Sequence, residues 1–560
     1  MFKGHPKGLY VFLFANMGER FGYYTMIAIF TLFLQAKFGM SAKEAGHVYG
    51  LFLFGIYFIP LIGGFLADKV LGFGKTITLG IVLMVIGYLL LANTSFGLTG
   101  IYIALAVISV GTGFFKGNLQ AMVGRLYDQG SLTKLRDAAF SLFYMGINIG
   151  AFFAPSAAEA MNNYMMKGDG FSYSGKIPEL ANKFLHDGAA IGTEEISKLT
   201  KLAHENIINS SYHFTNLHQF SIDYIASVSQ SYNYGFGIAA VSIFMSMIIF
   251  LAFRKHYKHV DLKIVKKNEK AENHTVVPDL PKEQTKKRLI ALGLLFLVNV
   301  FFWMSFHQNG FTLTLFARDF TVTSVSPAVY TLFDLKSLLP VIAAIIGLVF
   351  LFDKAASASK KLIGAGLTVA GIVIAYFVIG GYSLQMPINP IKFQHFNPIF
   401  IVFITPIIIA IFTKLNKKGK EPSSPRKIGI GLMLAAFSFG IMVLAASQFG
   451  NANEEIADSM RVTPFWLIGT YFSLTISELF YSPIGISFVS KVAPPKLAGM
   501  AQGGWFASTA IGNLLAGFIG AFWDGWEMWQ FFLLLVVMLV LSSIFIFSIM
   551  RILETATEEN

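Results

Sequence analysis

Three apolar stretches of this chain carry ionisable residues. ANMGERFGYYTMIAIF holds Glu19 and Arg20, GTGFFKGNLQ holds Lys116, and LTISELFYSP holds Glu478. An ionised side chain at the centre of a membrane helix costs ~2.5–3.5 kcal/mol on insertion scales. Such groups persist when they pair or when they face a bundle interior or a watery cavity. Around the first pair, Asn16, Glu19 or Arg20, Tyr23 and Ile27 recur at helical spacing and share one face, with Tyr24 beside them. An amide, an ion pair and phenols on one face suit a cavity lining; the pair also reads as a pin to a neighbouring helix. Lys116 lies too deep to reach water by extending its stem. It suits an anionic group or a proton, or equally a structural ion pair with Glu19. Cations in the first half and Glu478 in the second form opposite poles, an arrangement that would hold a zwitterion between them.

Weaker signals surround these. Asn148 can bond a peptide-like backbone or glue two helices. His307 is the only histidine placed deep in an apolar run, and it titrates near neutral pH or simply hydrogen-bonds there. Asn397-Pro398 opens a span. Pro483, just after Glu478, removes a backbone donor and is expected to bend or break its helix. Trp505 walls an apolar pocket or packs in the core. Gly63-Gly64, Gly113 with Gly117, and Gly146 with Gly150 are expected at close helix contacts. No HExxH or GxSxG pattern appears among the spans, so an enzyme is not expected. Cysteine is absent, which rules out thiolate metal sites; no metal or cofactor is expected.

The elements that position these residues are membrane helices. Hydrophobic residues make up 55% of the 560, charged ones only 13%, and mean hydropathy is +0.61. Apolar runs of helix-spanning length recur. They predict an all-α integral membrane protein with fourteen spans, at about 8–34, 47–67, 76–95, 100–123, 139–161, 234–253, 289–316, 331–351, 362–382, 396–415, 428–448, 463–490, 498–523 and 530–550. Most of the 43 Lys and Arg then fall in the N-terminus, alternate loops and the C-terminus, which places both termini in the cytoplasm. That distribution explains the net charge of +12 through lipid contact, without nucleic acid. The N-terminus leads straight into the first span, with no cleavage site read there. Residues 1–253 are expected to form a six-helix bundle with a long outside loop at 162–233. Within that loop 193–208 suits an amphipathic helix, and the loop reads as a cap without a role in the pathway. Residues 254–288 form a basic cytoplasmic linker. Residues 289–560 form the second bundle with an extra helix pair at about 331–382.

Taken together, ERFGYY at 19–24, IYFIPLIGGFLAD, GTGFFKGN, FYMGINIG, the FW...Q at 302–308, FNPIF at 396–400 and ELFYSPIGISFVSKVAP resemble the proton-dependent oligopeptide transporter family of the major facilitator superfamily. The loop after the second span, with Asp68, Lys69 and Lys75, resembles the superfamily's loop signature, which implies a gating role for Asp68. The resemblance implies a major facilitator fold of two six-helix bundles plus two extra helices, and uptake of di- and tripeptides driven by protons through alternating access. It carries over Tyr23, Tyr24, Tyr57, Lys116, Asn148, Asn397, Glu478 and Trp505 as substrate-binding residues. Glu19 and Arg20 take proton-coupling roles, to which Lys116, His307 and Glu478 are joined. A monomer in a bacterial inner membrane is expected. The chain departs from the family pattern at Asn16 and His307, where acids are usual, and at Ile27, where an arginine is usual. The extra pair follows the seventh span, whereas in most bacterial relatives it separates the two halves. A carrier of another small anion or amino-acid conjugate, or a sensor that does not transport, would share most of these features.

Overall fold

The computed structural model describes residues 4–93, 95, 97–127, 132, 135–186, 191–209, 212–261, 281–452, 454, 456–494 and 497–558. Helix α1 (Lys7–Phe38) ends at Gly39, whose φ of 62° lies in the left-handed region that glycine adopts without a Cβ penalty. A capping box between Ser41 and Glu44 then starts α2 (Ala42–Leu66). The chain continues through α3 (Phe73–Ala92), α4 (Leu98–Arg125) and α5 (Arg136–Gly168). Two short helices, α6 (Ile177–His186) and α7 (Thr193–Asn206), precede α8 (Leu217–Ala252). Of the expected linker, 254–261 forms two 3-10 turns, while 262–280 lies outside the described residues.

The second part opens with α9 (Lys282–Phe306), a 3-10 turn at His307–Gly310 and α10 (Thr312–Asp319). Strand β1 (Ser324–Val325) and the short α11 (Pro327–Tyr330) lead into α12 (Leu335–Phe352) and α13 (Ala358–Gly380). Strand β2 (Met386–Pro387) pairs antiparallel with β1 and clips the base of this excursion. Helices α14 (Phe396–Lys417), α15 (Ser424–Ala446), α16 (Phe465–Val492), α17 (Ala498–Ile519) and α18 (Met528–Ser548) follow, and α19 (Met550–Glu558) ends the described chain.

By length and composition, 13 helical segments can cross a membrane. Helix α1, 32 residues long and carrying the buried Glu19 and Arg20, makes the fourteenth of the expected set. It packs against α5 and α8; α4 packs on α2 and α3, and α3 on α8. In the second part α15 packs on α16 and α18, α17 on α9, and α14 on α16. The two groups meet where α2 lies on α17 and α5 on α14. Helices α12 and α13 pack chiefly on each other, and their outer sides expose Phe352, Leu362, Tyr376 and Phe377 as lipid-facing surfaces do. In chain order this pair follows α9 and α10.

Three expectations change. The loop at 162–233 is shorter than read, because α5 runs to Gly168 and α8 starts at Leu217. Polar bonds hold these extensions: Asn162 Nδ2 donates to Ser231 Oγ at 2.6 Å, and Ser227 Oγ to Asp169 Oδ2 at 2.7 Å. Pro483 does not break its helix; α16 continues through it to Val492. Of the glycines read as close-contact sites, Gly63 and Gly113 sit at the α2–α4 crossing and Gly146 and Gly150 against α1, but a Cβ on Gly64 or Gly117 would meet nothing within 4 Å.

The α2–α17 contact is nearly backbone to backbone. A Cβ on Gly50 would lie 2.8 Å from the Leu514 carbonyl oxygen and 2.9 Å from Gly517 Cα. Gly50→Ala is therefore expected to cost ~1–3 kcal/mol by overpacking and to lower the unfolding temperature in detergent. Gly64→Ala, facing open space in the same helix, should be neutral or mildly stabilising. Equal destabilisation by both would show that the crossing does not limit stability.

Candidate functional site

Glu19 and Arg20 meet in a two-point ion pair. Arg20 Nε donates to Glu19 Oε2 and Nη2 to Oε1, both at 2.5 Å, and the residues are 1% and 5% exposed. The Arg20 guanidinium also lies 4.6 Å from the centre of the Tyr23 ring. With both Glu19 oxygens bonded to Arg20, the expected alternative of a Glu19–Lys116 ion pair is not what forms. Lys116, on α4, instead places its ammonium 4.0 Å above the Tyr57 ring of α2. A cation over an aromatic face gains about 2 kcal/mol when desolvated, less than a full counter-ion would give.

The second pole is built on α16 and α14. Asn397, in the first turn of α14, donates to Glu478 Oε2 at 2.9 Å and to Thr475 Oγ1 at 3.0 Å. The two amide hydrogens are thus spent on the carboxylate and on the side chain that braces it. Among the described residues no hydrogen bond reaches Glu478 Oε1. Tyr24, Tyr57 and Tyr144 are near enough for the Glu478 charge to act on each phenol. Tyr57 therefore belongs to both poles: it carries Lys116 on its face and lies within the field of Glu478.

His307 occupies the break between α9 and α10. A helix end inside a bundle leaves carbonyls without partners. Here Tyr49 Oη, from α2, donates to the His307 carbonyl at 3.3 Å, and Tyr471 Oη, from α16, to that of Asn309 at 2.7 Å. Gln308 Nε2 donates across to the Ala516 carbonyl at 3.0 Å. The His307 ring stacks on Trp303 with centroids 5.4 Å apart and meets Tyr57 edge-on at 6.1 Å. His307 Nε2 and Trp303 Nε1 are both buried, and among the described residues neither has a hydrogen-bond partner. Ile27 packs at this break, 3.3 Å from where a Cβ on Gly310 would stand.

The structure thus gathers Glu19, Arg20, Tyr23, Tyr24, Tyr57, Lys116, His307, Asn397 and Glu478 around one interior region. Other residues singled out in the sequence lie differently. Asn148 is buried and donates to the Tyr144 carbonyl in its own helix at 3.0 Å. Trp505 is only 2% exposed, with its ring against Gly485 and stacked on Tyr481, so in this conformation it packs rather than lines. Asp68 stands exposed on a π-helical turn, Ala67–Leu71. Asn16 is buried, and its amide nitrogen has no partner. Tyr144 and Trp303 were missed, although each lies four residues before a residue already singled out, Asn148 and His307, on the same helical face.

Sequence reasoning also missed the ion pairs that join the two groups of helices on the face opposite the N-terminus. Glu159 Oε2 on α5 meets Lys392 Nζ at 2.8 Å, just ahead of α14. Asp319 Oδ1, at the end of α10, meets Lys176 Nζ at 2.9 Å, at the foot of α6. Arg318 grips Asp319 through two bonds of 2.8 Å, reaches Gln35 of α1 at 2.8 Å and approaches Glu179 of α6 at 3.7 Å. Burial works against the Lys176 ammonium, but Asp319 and Glu179 outweigh it and raise its pKa above the ordinary lysine value. A raised lysine pKa stabilises the fold below about pH 10.4 and loses effect only above it, so this contact holds at neutral pH. A cavity of about 550 Å³ opens beside α6, lined by Leu32, Gln35, Asn182, Arg318, Asp319 and Asp524 among others.

The sequence model of the POT family matches residues 74–178 and 381–527. The chain is similar to the peptide transporter YePEPT of Yersinia enterocolitica, 27% identical over 540 residues that cover 93% of this chain and 88% of that protein. It is also similar to dipeptide and tripeptide permease B of Xenorhabdus bovienii, 24% identical, covering 92% of this chain and 87% of the permease. Its fold matches the crystal structure of the peptide transporter POT in complex with sulfate, with a TM-score of 0.67 and 22% identity across 99% of this chain and 96% of that one. The POT family model thus matches two stretches that together make up a little under half of the chain, and the fold matches that of a solved peptide transporter along almost its whole length.

Proposed function

We propose that this protein is a secondary active transporter that takes up di- and tripeptides with protons by alternating access between two six-helix halves. The observation that carries this reading is the pair of opposite poles, Lys116 on α4 and Glu478 on α16, facing a tyrosine-lined region between the halves. The names of the relatives from Yersinia and Xenorhabdus support the substrate class. The family and its relatives point to transport rather than catalysis.

In this reading the peptide carboxylate approaches Lys116 and displaces the Tyr57 face as its partner. The peptide ammonium takes Glu478 Oε1, while Asn397 holds Oε2 in place. Tyr23, Tyr24, Tyr57 and Tyr144 surround the side chains, and Asn148 and Trp505 join them in a conformation that opens this region. A proton on Glu19 removes the charge that occupies Arg20, and the freed guanidinium assists at the carboxylate pole. His307 and Glu478 are further proton carriers, and release to Lys116 or Glu19 resets the cycle. Proton and peptide must together favour a state that neither favours alone. The protein works as a monomer in a bacterial inner membrane, with both termini and the basic linker against cytoplasmic lipid headgroups, and Asp68 acts in gating on that face.

Two outcomes test the poles in proteoliposomes with labelled dialanine and an imposed pH gradient. Glu478→Gln is expected to weaken binding of free-amine dipeptides by roughly 10- to 100-fold, the worth of a charged hydrogen bond, and to spare N-acetylated competitors. Equal loss for both would remove Glu478 from the ammonium role. Lys116→Ala is expected to abolish accumulation driven by the gradient; normal accumulation would place coupling elsewhere. Failure of a dipeptide panel to compete for uptake would favour a different small anion, and absence of counterflow would favour a sensor.

A further inference from the structure

The segment between α5 and α8 has no part in the transport reading above, and from Glu179 onward it lies outside the family match. Its contacts are uneven. Toward the first half it is fastened mostly by neutral and apolar groups: Asn182 Nδ2 donates to the Ala36 carbonyl at the end of α1 at 3.0 Å, the Ser174 amide donates to Tyr224 Oη at 2.7 Å, and Phe171 packs among Tyr212, Phe220 and Tyr224, while two carboxylates, Asp169 and Asp223, accept from hydroxyls rather than from cations. Toward the second half, among the described residues, it reaches with charge through Lys176 to Asp319 and Glu179 to Arg318, and Gly175 lies against the aliphatic stem of Arg318. The receiving residues are deeply placed, with the Asp319 and Arg318 side chains 6% and 10% exposed, and Arg461 Nη1 ties their turn in place by donating to the Thr321 carbonyl at 3.0 Å. The seam these contacts cross lies between α1 and α10, where Arg318 also holds Gln35.

We propose that α6 is a latch: it is anchored on the first half and closes the seam to the second through Lys176 and Glu179, so that opening this face requires α6 to let go of Arg318 and Asp319. Ionic contacts are the side that parts, because separated charges recover hydration, while the apolar anchor gains nothing from leaving its neighbours. The cavity beside α6 gives water access to these charges as the seam opens. The proposal rests on the transport reading for one of its two tests.

The chain has no cysteine, so single sites can be addressed without background. The Lys176→Cys, Asp319→Cys double variant, joined by a short reducible bis-thiosulfonate, is expected to lose labelled dialanine uptake and to regain it when a reductant cleaves the link. Full uptake by the linked protein overturns the latch. The second test does not need transport. Leu32 is 4% exposed and lines the cavity below the seam. Labelling of Leu32→Cys by a membrane-impermeant maleimide is expected to rise several-fold when Lys176→Gln and Glu179→Gln are added. Unchanged labelling overturns the latch even in a protein that carries no peptide. A protein that labels as expected but never takes up dialanine keeps the latch and refutes the substrate instead.

Discussion

The bidentate pair between Glu19 and Arg20 sets the terms for every other charge in the interior. In a low-dielectric bundle a carboxylate and a guanidinium that satisfy each other leave little for third parties. Lys116 is consequently left with the Tyr57 face, a weaker partner than a carboxylate, and Glu478 with an amide that occupies one oxygen only. The region around Tyr57 thus holds one well-matched pair and two under-matched ions of opposite sign. That asymmetry is what a zwitterionic solute can use, because it offers each under-matched ion a better partner at once. In the transport reading proposed above, Glu19 is then the control point, since a proton on it strands Arg20 and leaves the guanidinium to seek another anion.

Much of the fold was legible because lipid imposes a coarse rule. Apolar runs mark spans. Hydropathy failed where helices are held by specific bonds rather than by lipid. The stretch 217–233 is rich in Ser, Gln and Tyr and read as loop, yet it forms the first turns of α8, with Asn162 bonded to Ser231 and Asn233 Nδ2 to the Leu91 carbonyl at 2.5 Å. Helix α6 is only ten residues long and was not singled out, although Pro178 and Glu179 in its first turn and Lys183 and His186 in its last are helix signals.

The site was legible as a set of outliers but not as a set of partners. Charges in apolar runs identify themselves, and helical periodicity says which residues share a face. Neither states which rotamer is taken, and the choice of Arg20 over Lys116 for Glu19 is a rotamer question. The break at His307–Gly310 was hidden for a similar reason. It exists because Tyr49 and Tyr471, more than 400 positions apart in the chain, supply donors to its stranded carbonyls from either side. A helix interruption paid for by distant side chains leaves no mark at its own position beyond a glycine.

The two kinds of seam between the halves differ in what they can do. Where α2 crosses α17, Gly46, Gly50 and Gly517 bring the backbones together, so any separation forfeits close packing along the crossing. At the Glu159–Lys392 pair and at the Lys176, Glu179, Arg318 and Asp319 cluster, contact is made by charged groups that trade one partner for another, or for water, with a smaller net loss. A molecule that must open and close one face repeatedly is better served by hinging about the first kind of contact and releasing the second. The segment that hydropathy assigns to a passive cap contributes two of the four residues in the larger ionic cluster, which places it on the releasing side of that division.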